Sequence, residues 1–201
     1  RDRVDIHILI LDVSDREAVA EALQSIRPVD ILINNAGLAC GTDTIQEGNI
    51  DDWETMIDVN LKGLLYITRY ILPSMIQRGE GTIINIGSIA GRSAYPGGNV
   101  YCATKAAVRA ISDAIRVDTV GTGVRCSDIE PARVRTNFEY IRSQDDAVAD
   151  KKYDSYTVLE AEDIADLACY IACAPRHVVI QEAMISSIDQ ATATIVKDSR
   201  G

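Results

Sequence analysis

Segments of two kinds alternate along this chain, and the alternation limits its fold more than any single residue does. Short apolar runs rich in β-branched residues occur at 6–11, 31–33, 82–86, 124–129 and 178–185. Stretches with helical patterning lie between them, near 15–26, 51–77, 101–120 and 160–172. Strands alternating with helices in this way predict an α/β fold, a parallel sheet with helices on both faces. Asp51 and Asp52 suit a helix N-terminus, where backbone N–H groups favour negative charge. The helix they open is expected to break or kink on its way to residue 77, with Pro73 near its last turns, and Gly121 and Gly123 end the following one. Residues 132–158 are polar and only weakly periodic, and the tail up to Gly201 is expected to fray. No repeat, low-complexity tract or linker divides the chain, so residues 1–201 are read as one domain.

Composition narrows the function classes. A chain of 201 residues can bury a substantial core. Its net charge of −10, with no dense Lys/Arg run, argues against nucleic acid and anionic membranes as partners. No apolar stretch reaches the roughly eighteen residues of a membrane span. The five cysteines, Cys40, Cys102, Cys126, Cys169 and Cys173, are odd in number and irregular in spacing, which speaks against a disulfide framework. Cys169 and Cys173 sit one helical turn apart with no histidine at ligand spacing, so they are read as small buried hydrophobes rather than metal ligands. Free thiols imply a reducing, cytoplasmic setting.

The chemistry concentrates in the middle of the chain. Tyr101 and Lys105 are one turn apart and project from one helix face. A nearby ammonium favours phenolate, and a shift of two to three units corresponds to roughly 3–4 kcal/mol. A surface tyrosine beside a solvated lysine has the same spacing. Ser88 follows a buried strand, at the carboxyl edge where open α/β sheets bind ligands; there it can donate to a substrate oxygen or simply cap the turn. Asn34-Asn35-Ala36-Gly37 closes another strand at that edge, with small residues that let backbone approach a flat ligand. Asn60 interrupts a helical pattern beside Gly63, which fits either a functional group or a kink.

Taken together, Asn34-Asn35-Ala36-Gly37, Asn60, Ser88 and Tyr101-x-x-x-Lys105 resemble, in order and spacing, the short-chain dehydrogenase/reductase family. The resemblance covers nearly the whole chain. It implies a Rossmann-like doubly wound sheet and an oxidoreductase that interconverts a secondary alcohol and a carbonyl with NAD(P). It makes Tyr101 the general acid/base and Ser88 the group that polarises the carbonyl. Lys105 would hold the nicotinamide ribose and lower the phenol's pKa, and Asn60 would anchor a water that relays protons to Lys105. Asp12 would contact adenine, while Asn34, Ala36 and Gly37 would line the adenosine ribose. Pro131-Ala132-Arg133-Val134-Arg135-Thr136 resembles the family's nicotinamide-contacting segment, which assigns Pro131, Val134 and Thr136 to the coenzyme. Ala132 replaces a usual glycine, at a cost on the order of 1 kcal/mol if that position needs a positive φ.

Residues 87–101, 177–182 and 189–192 resemble more narrowly the branch acting on serine and other 3-hydroxy acids, which typically uses NADP. Broad carbonyl reduction and a non-catalytic scaffold of the same fold are the alternatives. A carboxylate substrate needs a cation, and Arg92, Arg133, Arg135 and Arg142 are available. The family commonly forms homotetramers through the helices after Asp51 and around Tyr101. No glycine cluster of the phosphate-binding kind precedes Asp12, and the residues that select NAD over NADP are not found. Residues 6–11 are read as the third strand and 31–33 as the fourth of a 3-2-1-4-5-6 sheet, so the first two strands are missing from between them. On that reading these residues are expected to be part of a longer enzyme and poorly stable alone.

Overall fold

A computed structural model describes residues 5–26 and 28–199. Helix α1 (Arg16–Gln24) opens on Asp15, whose carboxylate accepts from the backbone N–H of Glu17 and Ala18 at 3.0 Å each. Strand β1 (Ile31–Asn34) follows, and then α2 (Ile50–Ile57), capped by Asn49. The expected break in the long helix is a π-helical segment, Asp58–Gly63, before α3 (Leu64–Arg78). Strand β2 (Gly81–Ile86) leads through a 3-10 turn at Ile89–Gly91 to the 21-residue α4 (Asn99–Thr119). Beyond β3 (Val124–Pro131), the weakly periodic region resolves into β4 (Val134–Arg135), α5 (Phe138–Ser143) and α6 (Asp146–Asp154). Strand β5 (Leu159–Glu160), α7 (Ala161–Ala172) and β6 (Glu182–Ile185) complete the order.

The main sheet is parallel, in the order β1-β2-β3-β6. Successive strand residues face opposite sides, so Ile83 and Ile84 serve two cores. Ile83 packs with Cys126 against Ile71, Met75 and Ile115 of α3 and α4. Ile84 and Ile129 pack against Ala168 and Ile171 of α7 on the other face. Each fully buried isoleucine contributes about 1.5–3 kcal/mol, and helices cover both faces as expected.

Two expectations are corrected. Residues 6–11 join no sheet: Ile8 is 83% and Ile10 102% exposed. A strand is held by the ladder of a neighbour, and among the described residues none pairs with this run. Cys169 and Cys173 are exposed rather than buried, because α7 turns Ala168 and Ile171 inward and its cysteines fall outside that stripe. Cys102 and Cys126 are the buried cysteines.

Candidate active site

The carboxyl ends of β2 and β3 and the first turns of α4 surround a cavity of about 920 Å³, within the usual range for small-ligand sites. Ser88, Tyr101 and Lys105 all line it. Ser88 leaves β2 in extended conformation, and its hydroxyl accepts from the Ala90 N–H at 3.1 Å. The same hydroxyl donates to the Pro131 carbonyl at 3.4 Å and lines the cavity together with the Tyr101 phenol. Tyr101 sits in the first turn of α4, 8% exposed, with its ring 5.4 Å from that of Phe138. One turn on, Lys105 Nζ donates to the Ile86 carbonyl at 2.8 Å and lies 6.0 Å from the centre of the Tyr101 ring.

The expected depression of the phenol's pKa by Lys105 is absent. Burial dominates and pushes Tyr101 well above its ordinary value, with the Ser88 hydrogen bond opposing in part. The ammonium stands 6.0 Å from the ring centre and spends a donor on the Ile86 carbonyl. Burial also drives Lys105 down to about 8, against the pull of Asp128. As built, the phenol is a neutral proton donor.

Asn60 lies in the π-helical segment, buried, and works as a clamp. Its Oδ1 accepts from the Leu38 N–H, and its Nδ2 donates to the Leu38 carbonyl, both at 2.8 Å. The same Nδ2 reaches Thr104, the residue before Lys105, at 3.1 Å. A Cβ on Gly37 would stand 3.3 Å from Asn60 Oδ1 and 3.4 Å from Lys105 Nζ, so only glycine leaves this floor open.

The remaining expected residues divide. Gly37, Pro131, Val134 and Thr136 line the cavity. Asn34 and Ala36 do not; strand alternation turns the Asn34 side chain inward, where it donates to Thr68 at 3.1 Å and Asn85 at 2.8 Å. Asn35 faces the cavity in its place. Asp12 is exposed, accepts from the Ser14 N–H and hydroxyl at 2.9 and 2.7 Å, and lies away from the cavity. Ala132 carries no strain: Gln144 alone among described non-glycine residues has a positive φ. Its N–H donates to Ile185 at 2.8 Å, so the expected cost does not arise.

The four arginines also separate. Arg92 is paired with Glu130 and Glu182, and Arg135 with Asp154 and Glu160. Arg133 stacks over Tyr156, with Glu139 at 3.8 Å. Arg142 is different. It is 7% exposed, lines the cavity, and donates only to neutral oxygens: Tyr95 Oη at 2.9 Å, Gly97 O at 2.8 Å and Gly41 O at 3.3 Å. Its guanidinium also lies 5.5 Å from the Tyr95 ring centre. Gly97 makes this packing possible: its φ is +71°, and a Cβ there would sit 2.4 Å from Thr42 O. Tyr95 went unnoticed in the sequence because a loop has no periodicity to mark an inward residue.

The cavity wall holds Lys105, Arg133, Arg142 and Lys152 against Glu139 alone, in a chain of net charge −10. Such a wall attracts anions. Among the described residues no cluster could hold a metal ion, and no helix is long and apolar enough to cross a membrane. For a nicotinamide coenzyme the fit is good at the reactive end: an open glycine floor beside a buried lysine, faced by the 131–136 segment.

Known proteins agree with this arrangement. The family model for short chain dehydrogenases matches residues 1–147. The NADP-dependent 3-hydroxy acid dehydrogenase YdfG of Salmonella typhi is 47% identical, over 91% of this chain and 76% of that protein. Sulfoacetaldehyde reductase 2 of Chromohalobacter salexigens is 40% identical, over 98% of this chain and 80% of the relative. A closed serine dehydrogenase structure complexed with NADP+ superposes with a TM-score of 0.89 at 44% identity, over 94% of this chain and 79% of that one. With its serine, tyrosine and lysine brought to one cavity at the sheet edge, the chain belongs to the short-chain dehydrogenase family and is an NAD(P)-dependent oxidoreductase acting on CH–OH groups.

Proposed function

We propose that this cavity interconverts a small 3-hydroxy acid, serine included, and the corresponding carbonyl compound with NADP. The observation that carries the reading is Arg142, a buried guanidinium in the same cavity as Tyr101 that has no carboxylate partner among the described residues. A cation so placed fits a substrate whose carboxylate lies a short distance from its reacting hydroxyl. NADP, when bound, would supply or accept the hydride. Tyr101 gives its proton to the oxygen in reduction and takes it back in oxidation, while Ser88 holds that oxygen in place. Lys105 would hold the nicotinamide ribose, and its charge would offset phenolate in the oxidative direction. Asn60 fixes the 37–38 backbone beside Lys105; π winding loosens the helical ladder there, the kind of place where a relaying water inserts. Gly37, Pro131, Val134 and Thr136, which line the cavity, would hold the coenzyme's reactive end, the backbone of Asn34 and Ala36 would support its ribose, and Asp12 would contact adenine.

NADP as the coenzyme is supported by the names of the relatives. The sulfonate in the name of the Chromohalobacter relative offers Arg142 the same chemistry, an anion beside a carbonyl. A cytoplasmic homotetramer is part of the proposal. The free cysteines support the compartment, and the half-exposed Leu65 and Tyr70 of α3 with the exposed Val117 of α4 support the assembly. Tyr101→Phe tests the chemistry. Turnover should fall at least a thousandfold, with NADP affinity within about threefold of the parent; turnover within tenfold would refute it.

A further inference from the structure

We infer that Arg92 is a positioning residue for Ser88: by bridging two carboxylates on neighbouring strands, it seats the turn that carries the serine hydroxyl against the sheet. The inference rests on the role given above to Ser88 as the group that holds the reacting oxygen.

Residues 88–92 form one tight turn. The Gly91 N–H donates to Ser88 O at 2.9 Å and the Arg92 N–H to Ile89 O at 3.1 Å, so Ser88 and Arg92 are the two ends of a single hydrogen-bonded unit. One side of the unit lies on α4: a Cβ on Gly91 would stand 2.7 Å from the Lys105 carbonyl carbon and oxygen. Both ends of the turn are tied to β3. The Ser88 hydroxyl donates to Pro131 O at 3.4 Å, and Arg92 Nε donates to the carboxylate of Glu130, the residue before Pro131. The guanidinium reaches further, from Nη2 to Glu182 on β6. Strands β3 and β6 are paired in parallel, with Asp128 opposite Glu182, so one planar fork spans both strands.

The two ties differ in strength. A good O–H···O bond measures about 2.5–3.0 Å. At 3.4 Å the serine's own bond is long, and its oxygen has to meet a substrate besides. Its place is set by where the turn sits rather than by that bond. Glu130 supplies the firm tie. Its side chain is 1% exposed, and its Oε1 has no hydrogen-bond partner; Arg92 is the cation paired with it. Breaking such a pair leaves an uncompensated buried charge, which holds the arginine in place. Arg92 itself stands outside the residues that line the cavity, and its two carboxylate partners come from the protein. Its influence on turnover therefore passes through the turn.

A double-mutant cycle in the intact enzyme separates positioning from general stability. Arg92→Met should slow hydride transfer, read as NADPH absorbance in a single turnover, by about tenfold, since small misplacements of a reacting group are costly. In a Ser88→Ala background the same substitution should slow it less than about twofold, because no hydroxyl is left to misplace. Equal losses in both backgrounds would make Arg92 a purely structural residue and overturn the proposal, as would full activity in Arg92→Met. Should Arg92→Met fail to fold, Arg92→Lys takes its place in the cycle. Lysine keeps a charge beside Glu130 but lacks the fork that also reaches Glu182, so a loss of at least about threefold is expected, again vanishing without Ser88. A loss that persists in Ser88→Ala, or no loss at all, refutes the positioning. Ser88→Ala alone keeps the two readings apart. If it leaves hydride transfer intact, the catalytic role of Ser88 falls and this inference with it; if it is slow and the Arg92 effect is additive, only the positioning fails.

Discussion

Replacing Arg142 by methionine removes a charge from the cavity with little change in side-chain length. A guanidinium hydrogen-bonded to a carboxylate contributes roughly 1.5–3 kcal/mol, which is about 10–150-fold in kcat/KM for an acid substrate. The guanidinium also fastens three neutral oxygens, on Tyr95, Gly97 and Gly41. Losing those bonds costs about 2–4 kcal/mol of stability at roughly 1 kcal/mol each. A simple loss of activity could follow from either effect, so the assay has to separate them. We expect kcat/KM for a 3-hydroxy acid to fall 10–150-fold in Arg142→Met, while kcat/KM for its methyl ester falls less than threefold. The ester carries the same reacting hydroxyl without the anion. Arg142→Lys should restore part of the acid's advantage, since it keeps charge but loses the planar fork. Equal losses for acid and ester would refute the reasoning and reduce Arg142 to a fastener of loops.

Two further outcomes follow from buried polar groups. Asn60→Leu keeps side-chain size but leaves the Leu38 N–H and carbonyl unpaired; it should lower stability by about 2–4 kcal/mol in denaturant unfolding, and a loss below about 0.5 kcal/mol would contradict the clamp. Stability should also dip between pH 7 and 8. Asp128 keeps a proton up to about 7 in the native state that the unfolded chain loses near 4, so stability falls as pH rises across that interval. Lys105 releases its proton near 8 when folded and only above 10 when unfolded, so stability recovers as pH rises from 8 toward 10. Thermal unfolding across pH 5–10 should show the minimum, and Lys105→Met should abolish the recovery.

Periodicity located the elements well wherever packing rather than long-range pairing decides structure. The runs at 31–33, 82–86 and 124–129 became parallel strands because each has a hydrogen-bonding neighbour and apolar residues that helices cover, Ile83 and Cys126 on one face and Ile84 and Ile129 on the other. The run at 6–11 has the same composition and forms no strand, since propensity cannot supply a hydrogen-bonding neighbour. The break around Asn60 was readable as a disturbance, though its π character was not: the winding follows from the clamp on Leu38, a contact across 22 positions. Loop segments were read worst. Tyr95 and Asn35 reach the cavity from stretches where no repeat tells inward from outward.

Asp128 and Glu130 show what such a reading passes over and how it could be improved. A strand buried on both faces should be apolar throughout, yet Val124–Pro131 carries two acids at alternate positions, both fully or nearly fully buried. Local rules are broken where another requirement outweighs them, and here both violations point to the face that carries Lys105 and Arg92. The same logic separates Arg142 from the other arginines. Each of those three has a carboxylate partner that explains its place, whereas Arg142 is buried at comparable cost with neutral partners alone. A buried charge not balanced by the protein is one that a ligand can balance. On the function proposed above, the counter-charge that Arg142 lacks arrives with the substrate.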